Sequence, residues 1–187
     1  MKSKTRAFLA FDVSPEVVER LVLVDEELRG TRADLKMVER DNLHFTLKFL
    51  GEVSEDTVKE VDRRLQRLEL SSFDVVVRGV GAFPDPRRPR VVWAGVAPES
   101  ARSITEVASA FIGSLAGVGR PDDHEFHPHI TLARVRSPRN AGALASFLQA
   151  NADRSFGETR IGGVKLKSSV LSPSGPTYQD VREYALR

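Results

Sequence analysis

The chain has 187 residues, enough for one domain with a substantial core. Hydrophobic residues make up 41% and charged residues 29%, which excludes a disordered or fibrous protein. The 28 basic and 26 acidic residues leave a net charge of +2, too small for histone-like binding to nucleic acid but compatible with a local basic surface. Because the chain has no cysteine, disulfides, thiolate catalysis and cysteine-ligated metals are excluded. No apolar run approaches the roughly 20 residues of a membrane-spanning helix, and the N-terminus lacks a signal-peptide cleavage pattern, so we expect a cytoplasmic protein without membrane contact.

The periodicity of apolar residues predicts alternating strands and helices. In chain order these are a strand over 6–12, a helix capped by Ser14 and Pro15 that ends at Gly30, strands over 35–39 and 43–50, a helix that Ser54 opens and that reaches 68, strands over 73–80 and 90–96, a helix over 99–115, a strand over 129–135, a helix over 141–150, and closing strands over 159–171 and 178–186. The order of elements in the second half resembles that in the first.

One short pattern occurs in both halves of the chain. Leu43–Leu47 and Pro128–Leu132 each place histidine, an apolar residue, threonine and leucine in a predicted strand. We therefore expect two lobes, related by an approximate two-fold axis, whose copies of the pattern face each other across a cleft. No linker separates the halves, so residues 1–187 are predicted to form a single domain.

The repeated pattern suits acid–base chemistry on a phosphate. Side chains alternate along a strand, so His44 and Thr46 share one face, and His129 and Thr131 do likewise. Hydroxyls can donate to phosphate oxygens, and an imidazole with an unperturbed pKa of about 6.5 can act as acid or base near neutral pH. Two such histidines predict a general base and a general acid, without a covalent intermediate, and the symmetry of the pattern leaves open which histidine is which.

Other uses of these residues stay open. A metal site would draw on His124, His127 and His129 with Asp122, Asp123 and Glu125, but it leaves the pattern at His44 without a purpose, and we predict no metal. Basic residues cluster over 87–90 and at Arg134, Arg136 and Arg139, where they are either solvated charges or a guide for RNA. Phe8 or Phe11 would stack on a base or, in the simpler interpretation, pack in the core.

Several segments resemble the 2H phosphoesterase superfamily, and within it the bacterial and archaeal RNA 2′,3′-cyclic phosphodiesterases, also called 2′-5′ RNA ligases or LigT-like proteins. The resemblance lies in RAFLAFD at 6–12, LHFTLKFLG at 43–51, VVWAG at 91–95, FHPHITLAR at 126–134 and LSPSGPTY at 171–178. It implies a bilobal α+β fold, with antiparallel sheets around a central cleft and helices outside.

The resemblance also implies a reaction and roles for five residues. The reaction is hydrolysis of a terminal RNA 2′,3′-cyclic phosphate to a 2′-phosphate without metal or cofactor, with reversible 2′-5′ RNA ligation as a further activity of the same site. His44 would be the proton donor and His129 the proton acceptor, while Thr46, Thr131 and Arg134 would bind the substrate. Arg134 conflicts with strict alternation and reaches the cleft only if its strand ends or bulges.

We expect a monomer acting on RNA ends such as tRNA fragments. The alternatives are a module that binds RNA ends without useful turnover and a phosphodiesterase for a small cyclic nucleotide.

Overall fold

A computed structural model describes residues 5–121, 125–172 and 175–187. Its centre is one sheet in which every neighbouring pair of strands is antiparallel. The strands are β1 (Thr5–Asp12), β2 (Leu35–Met37), β3 (His44–Val53), β4 (Phe73–Phe83), β5 (Val91–Val96), β6 (Ile130–Val135), β7 (Ser155–Ile161), β8 (Gly163–Ser172) and β9 (Gly175–Ala185). They lie in the order β7-β4-β5-β6-β3-β1-β8-β9, and β2 pairs with β6.

Helices cover the apolar side of the sheet. They are α1 (Pro15–Gly30), α2 (Glu55–Leu65), α3 (Pro98–Ser114) and α4 (Ala141–Ala150), with a 3-10 turn at Arg40–Asn42. Helix α1 packs on β7, and α3 and α4 pack on β4. No helix within the described ranges is long and apolar enough to cross a membrane.

Local sequence explains where the first two helices begin. Pro15 occupies the first turn of α1, as predicted, but the hydroxyl of Ser14 does not cap it. Ser14 instead ties α1 to β7, since its backbone N–H donates to Thr159 Oγ1 at 2.8 Å. At the start of α2 the predicted cap is present, and the N–H of Thr57 donates to Ser54 Oγ at 3.2 Å.

The two motif strands, β3 and β6, meet at the middle of the sheet. The strand order is therefore balanced about their contact, with β5, β4 and β7 on one side and β1, β8 and β9 on the other. Phe45 of β3 pairs with Ile130 of β6, and both side chains are fully buried beneath the helices. The predicted α+β architecture with two related lobes is confirmed, and the strands of both lobes join in one sheet through this pair.

The prediction of one closing strand over 159–171 is wrong. The chain forms β7 up to Ile161, breaks at Gly162 and continues as β8. Strand β7 pairs with β4 at one edge of the sheet, whereas β8 pairs with β1 in the other lobe. The buried positions shift from odd numbers, as at Ile161, to even numbers, as at Val164 and Leu166, across the Gly162–Gly163 pair, so the sequence carries a signal of the break that a single strand does not account for. The chain therefore crosses from one side of the motif strands to the other between β7 and β8.

Candidate active site

His44 is held in one tautomer by the backbone. It opens β3, and its Nδ1 lies 2.7 Å from the carbonyl oxygen of Asn42. A carbonyl oxygen only accepts, so Nδ1 carries the proton and the neutral ring has its lone pair on Nε2. That nitrogen accepts a hydrogen bond from Thr46 Oγ1 at 2.8 Å. The first motif therefore presents one basic nitrogen, bonded to the hydroxyl two residues along the strand.

His129 repeats this arrangement in the second lobe. Its Nδ1 lies 2.6 Å from the carbonyl oxygen of His127, which again leaves Nε2 as the basic nitrogen of the neutral ring. The ring of Phe83 packs edge-on against it, with the centroids 4.9 Å apart. Both histidines thus donate Nδ1–H to the backbone carbonyl two residues earlier, as expected of a structural repeat.

The register between the motif strands sets the distance between the histidines. Because Phe45 lies directly opposite Ile130, the histidine of each motif lies opposite the threonine of the other. The two histidines are then diagonal neighbours, with Cα atoms roughly 7–8 Å apart. All four side chains line one cleft of about 880 Å³.

Aromatic rings fix His44 from two sides. Phe8 stacks on it with centroids 5.1 Å apart, and Tyr178 meets it edge-on at 5.4 Å. Phe8 is 3% exposed, and Phe11 is fully buried in the core. Neither is free to stack on a base, so of the two interpretations of these rings packing is correct. Sequence reasoning did not identify Tyr178, whose place beside His44 depends on the pairing of β9 with β8.

Burial lowers the pKa of both imidazoles. For His44 it lowers the pKa to about 4, and the positive charges of Lys167 and His129 act in the same direction. The hydrogen bond to the Asn42 carbonyl opposes this shift. Burial also lowers the pKa of His129. Both rings are therefore neutral at neutral pH in the free protein.

A bulge brings Arg134 to the cleft. Strand β6 has an extra residue at Leu132, because Thr131 and Ala133 on either side of it pair with consecutive residues of β5. The bulge reverses the alternation, so Arg134 shares the face of Thr131 and lines the cleft. The conflict between its position and strict alternation is resolved in this way.

Strand β3 has the same bulge, and there it exposes a phenylalanine. Thr46 and Lys48 pair with consecutive residues of β1, which makes Leu47 the extra residue. Phe49 then lines the cleft and is 60% exposed. It lies five residues after the motif histidine, as Arg134 does in the other lobe. Phe49 is not among the site residues predicted from the sequence, although its equal spacing from the motif histidine indicates that it lies at the position equivalent to Arg134.

The residues of the alternative metal site are only partly described. Asp122, Asp123 and His124 lie outside the described residues. In the parts of the chain that the structure describes, no three histidine, aspartate or glutamate side chains form a group that could hold a metal ion. His127 lines the cleft near Phe83, with the ring centroids 6.5 Å apart.

Two neutral imidazoles, two hydroxyls and an arginine around one cleft form a site for acid–base chemistry on a phosphoester. Sequence comparison agrees with this class, since the family described as LigT like Phosphoesterase matches residues 11–93 and 95–178, and each matched segment contains one motif. The chain belongs to this family.

Relatives and solved structures extend the likeness over nearly the whole chain. The RNA 2′,3′-cyclic phosphodiesterase of Aeropyrum pernix is 38% identical over 89% of this chain and 95% of its own length. That of Archaeoglobus fulgidus is 37% identical over 96% of this chain and 99% of its own. The crystal structure of Escherichia coli LigT complexed with NADP⁺ has a TM-score of 0.76 and 26% identity, covering 98% of both chains. The crystal structure of the Thermus thermophilus protein TT0787 has a TM-score of 0.76 and 31% identity, covering 97% of this chain and 98% of that one.

Proposed function

We propose that this protein hydrolyses the 2′,3′-cyclic phosphate at the end of an RNA chain and leaves a 2′-phosphate. The observation that carries the proposal is the fixed tautomer of His44 and His129, which gives the cleft two basic Nε2 atoms on diagonal strand positions. A cyclic phosphate between them has one imidazole on the side of the attacking water and one on the side of the departing ribose oxygen. The relatives named RNA 2′,3′-cyclic phosphodiesterase support this choice of substrate.

The reaction requires one proton to leave water and one to reach the ribose. His129 Nε2 takes a proton from water as the water oxygen bonds to phosphorus. The bond between phosphorus and the 3′-oxygen breaks, and protonated His44 gives its Nε2 proton to that oxygen. The 2′-phosphate is left, and proton exchange with solvent restores both rings. The same site forms a 2′-5′ linkage when a 5′-hydroxyl replaces water as the nucleophile and the bond between phosphorus and the 3′-oxygen breaks, and it cleaves that linkage in the reverse direction.

The two threonines and Arg134 hold the phosphate. In the free protein the hydroxyl of Thr46 is bonded to the lone pair of His44 Nε2. Protonation of that nitrogen removes the acceptor, which frees the hydroxyl to donate to a phosphate oxygen. Thr131 donates from the opposite strand, and the guanidinium of Arg134 adds a positive charge on the same face.

The rest of the cleft accommodates the nucleoside. Its volume of about 880 Å³ exceeds what a cyclic phosphate alone needs, and the exposed ring of Phe49 offers a face for the base. Both motifs belong to one chain, so the site is complete in a monomer, which we propose as the active form. A cytoplasmic location stays a prediction.

The test is turnover of a short RNA that ends in 2′,3′-cyclic phosphate, with EDTA present and the product identified by mass spectrometry and NMR. We expect a 2′-phosphate. His44→Gln and His129→Gln should each lower kcat by about 10²- to 10⁴-fold. His127→Gln is the matched control, because it removes a cleft histidine to which we assign no proton transfer.

Each alternative function gives a different result. Tight binding of the RNA without turnover would indicate a binding module and contradict hydrolysis. Activity that appears only with a divalent ion would favour the metal site. Faster turnover of a cyclic mononucleotide than of the RNA would favour a small-molecule phosphodiesterase.

A further inference from the structure

The two basic clusters of the sequence meet at one end of the sheet. Strand β6 ends between the beginnings of β5 and β2. On one side the N–H of Val135 donates to the carbonyl oxygen of Arg90 at 2.9 Å. On the other side the N–H of Arg136 donates to the carbonyl oxygen of Asp34 at 2.9 Å. Residues more than 40 positions apart in the chain are thereby neighbours.

Five exposed cations surround this end of β6, and we call them the basic edge: Arg32, Lys36, Arg90, Arg136 and Arg139. The basic edge is continuous with the cleft. Lys36 of β2 is the register partner of Arg134, and both line the cleft.

At its far side the basic edge borders a second cavity, of about 540 Å³. Arg32 and Arg139 line this cavity, and Met37 lines both it and the cleft. Asn140 closes one wall, where its Nδ2 donates to the carbonyl oxygen of Arg32 at 3.0 Å. An extended ligand that leaves the cleft over β2 therefore enters a second cavity that is lined by two arginines.

The basic edge groups several cations that have no ion pair with a described residue, whereas many exposed arginines elsewhere are paired with carboxylates. Elsewhere, Arg102 bonds to Glu106 at 2.7 Å and Arg160 to Asp74 at 2.7 Å. Within residues 5–121, 125–172 and 175–187, none of the five cations of the basic edge forms an ion pair with a carboxylate. Unpaired cations grouped along one line offer charge to an external anion.

We propose that the basic edge binds the backbone phosphates of the nucleotides that precede the cyclic phosphate, so that single-stranded oligonucleotides are the preferred substrate class. This inference rests on the proposed function. Strand β6 rises about 3.3 Å per residue, and its bulge at Leu132 removes one step, which places Arg136 about 13 Å beyond Thr131. An RNA strand that is anchored by its terminal phosphate in the cleft runs along this line. Its backbone phosphates then form ion pairs with the cations of the basic edge, which no carboxylate of the described residues provides.

The test compares a cyclic mononucleotide with a tetranucleotide that ends in the same 2′,3′-cyclic phosphate. Each phosphate contact on a single strand contributes about −0.7 to the slope of log affinity against log salt. Three contacts give the tetranucleotide a slope about 2 units steeper, so its kcat/KM falls about 16-fold more than that of the mononucleotide between 50 and 200 mM salt.

The variant is Arg90→Gln with Arg136→Gln, two side chains that make no hydrogen bond to other described residues. It should weaken tetranucleotide binding about tenfold, reduce the slope by about 1.4 and leave mononucleotide turnover unchanged. Arg67→Gln is the control for loss of a positive charge away from the basic edge, since Arg67 is an exposed arginine on the loop after α2.

A binding measurement separates this proposal from the proposed function. Fluorescence anisotropy of a labelled tetranucleotide ending in 2′-phosphate needs no turnover. Equal affinity of the double variant, the Arg67→Gln control and the unaltered protein would overturn the basic edge, whatever the protein hydrolyses. Turnover of neither substrate would overturn the proposed function, while loss of binding in the double variant alone would still support the basic edge.

Discussion

Binding of an anion in the cleft should raise the pKa of His44 by about three units. In the free protein, burial and the charge of Lys167 hold this pKa at about 4. Each pKa unit corresponds to about 1.4 kcal/mol, so protonating His44 at pH 7 costs about 4 kcal/mol. A proton donor with this pKa is almost entirely unprotonated before substrate arrives.

A bound phosphate supplies a stabilisation of similar size. A unit negative charge about 4 Å from the imidazolium, at an effective dielectric constant of about 20, stabilises the imidazolium by about 4 kcal/mol. The two energies offset each other, so the pKa of His44 in the complex should be about 7. The substrate itself then creates the acid that the reaction needs.

Nitrogen-15 NMR of histidine-labelled protein measures this shift directly. Titrations would be recorded without ligand and with saturating sulfate, whose charge is constant over the relevant pH range, and signals assigned with His44→Gln and His129→Gln. A pKa of His44 that stays below about 5 with sulfate bound would refute the electrostatic argument. A rise confined to His129 would exchange the roles of donor and acceptor.

The same reasoning fixes the sign of the pH dependence of kcat. The base must be neutral, so kcat should fall as the pH drops through the pKa of His129 in the complex, which burial lowers and the bound phosphate raises. The acid must be protonated, so kcat should also fall as the pH rises through the pKa of His44 in the complex, about 7. A profile that stays flat from pH 5 to 9 would contradict the assignment of both rings.

Three further substitutions test the surroundings of the site. Lys167→Met removes a charge that lowers the pKa of His44, so NMR should show that pKa above 4, whereas Lys165→Met, which removes a neighbouring charge, should shift it less. Ser54→Ala removes the cap of α2 and should lower the free energy of unfolding by about 1 kcal/mol in urea, with unchanged kcat. Phe45→Ala empties a fully buried position between His44 and Thr46, so it should lower that free energy by about 3–5 kcal/mol and reduce kcat as well; full activity would contradict the role of the central pair.

The sequence predicts those features that depend on alternation along a strand. The faces of His44 and Thr46 follow from a period of two, and the duplicated pattern predicts that a second strand does the same. The amphipathic stripes of the helices are equally local, and each predicted helix is present. These predictions need no knowledge of which strands are neighbours.

Features that depend on pairing are not contained in a local pattern. The bulges at Leu47 and Leu132 exist only relative to a partner strand, and they decide that Phe49 and Arg134 line the cleft. Tyr178 reaches His44 because β9 folds back on β8, several strands from β6. Repetition is the only local hint, since equal spacing from the motif histidine marks both bulged positions.

The repeat gives the histidines of both lobes the same backbone hydrogen bond, although the acid and the base must differ in protonation during the reaction. Burial leaves both imidazoles neutral in the free protein, and a phosphate between them favours the charged form of each. A second proton is opposed, because the positive charge of His129 lowers the pKa of His44. The favoured bound state therefore holds one proton shared between two rings, which is the state that general acid–base hydrolysis requires. Charges outside the repeat then bias which ring holds it: Lys167 lowers the pKa of His44, and Asp12 raises it.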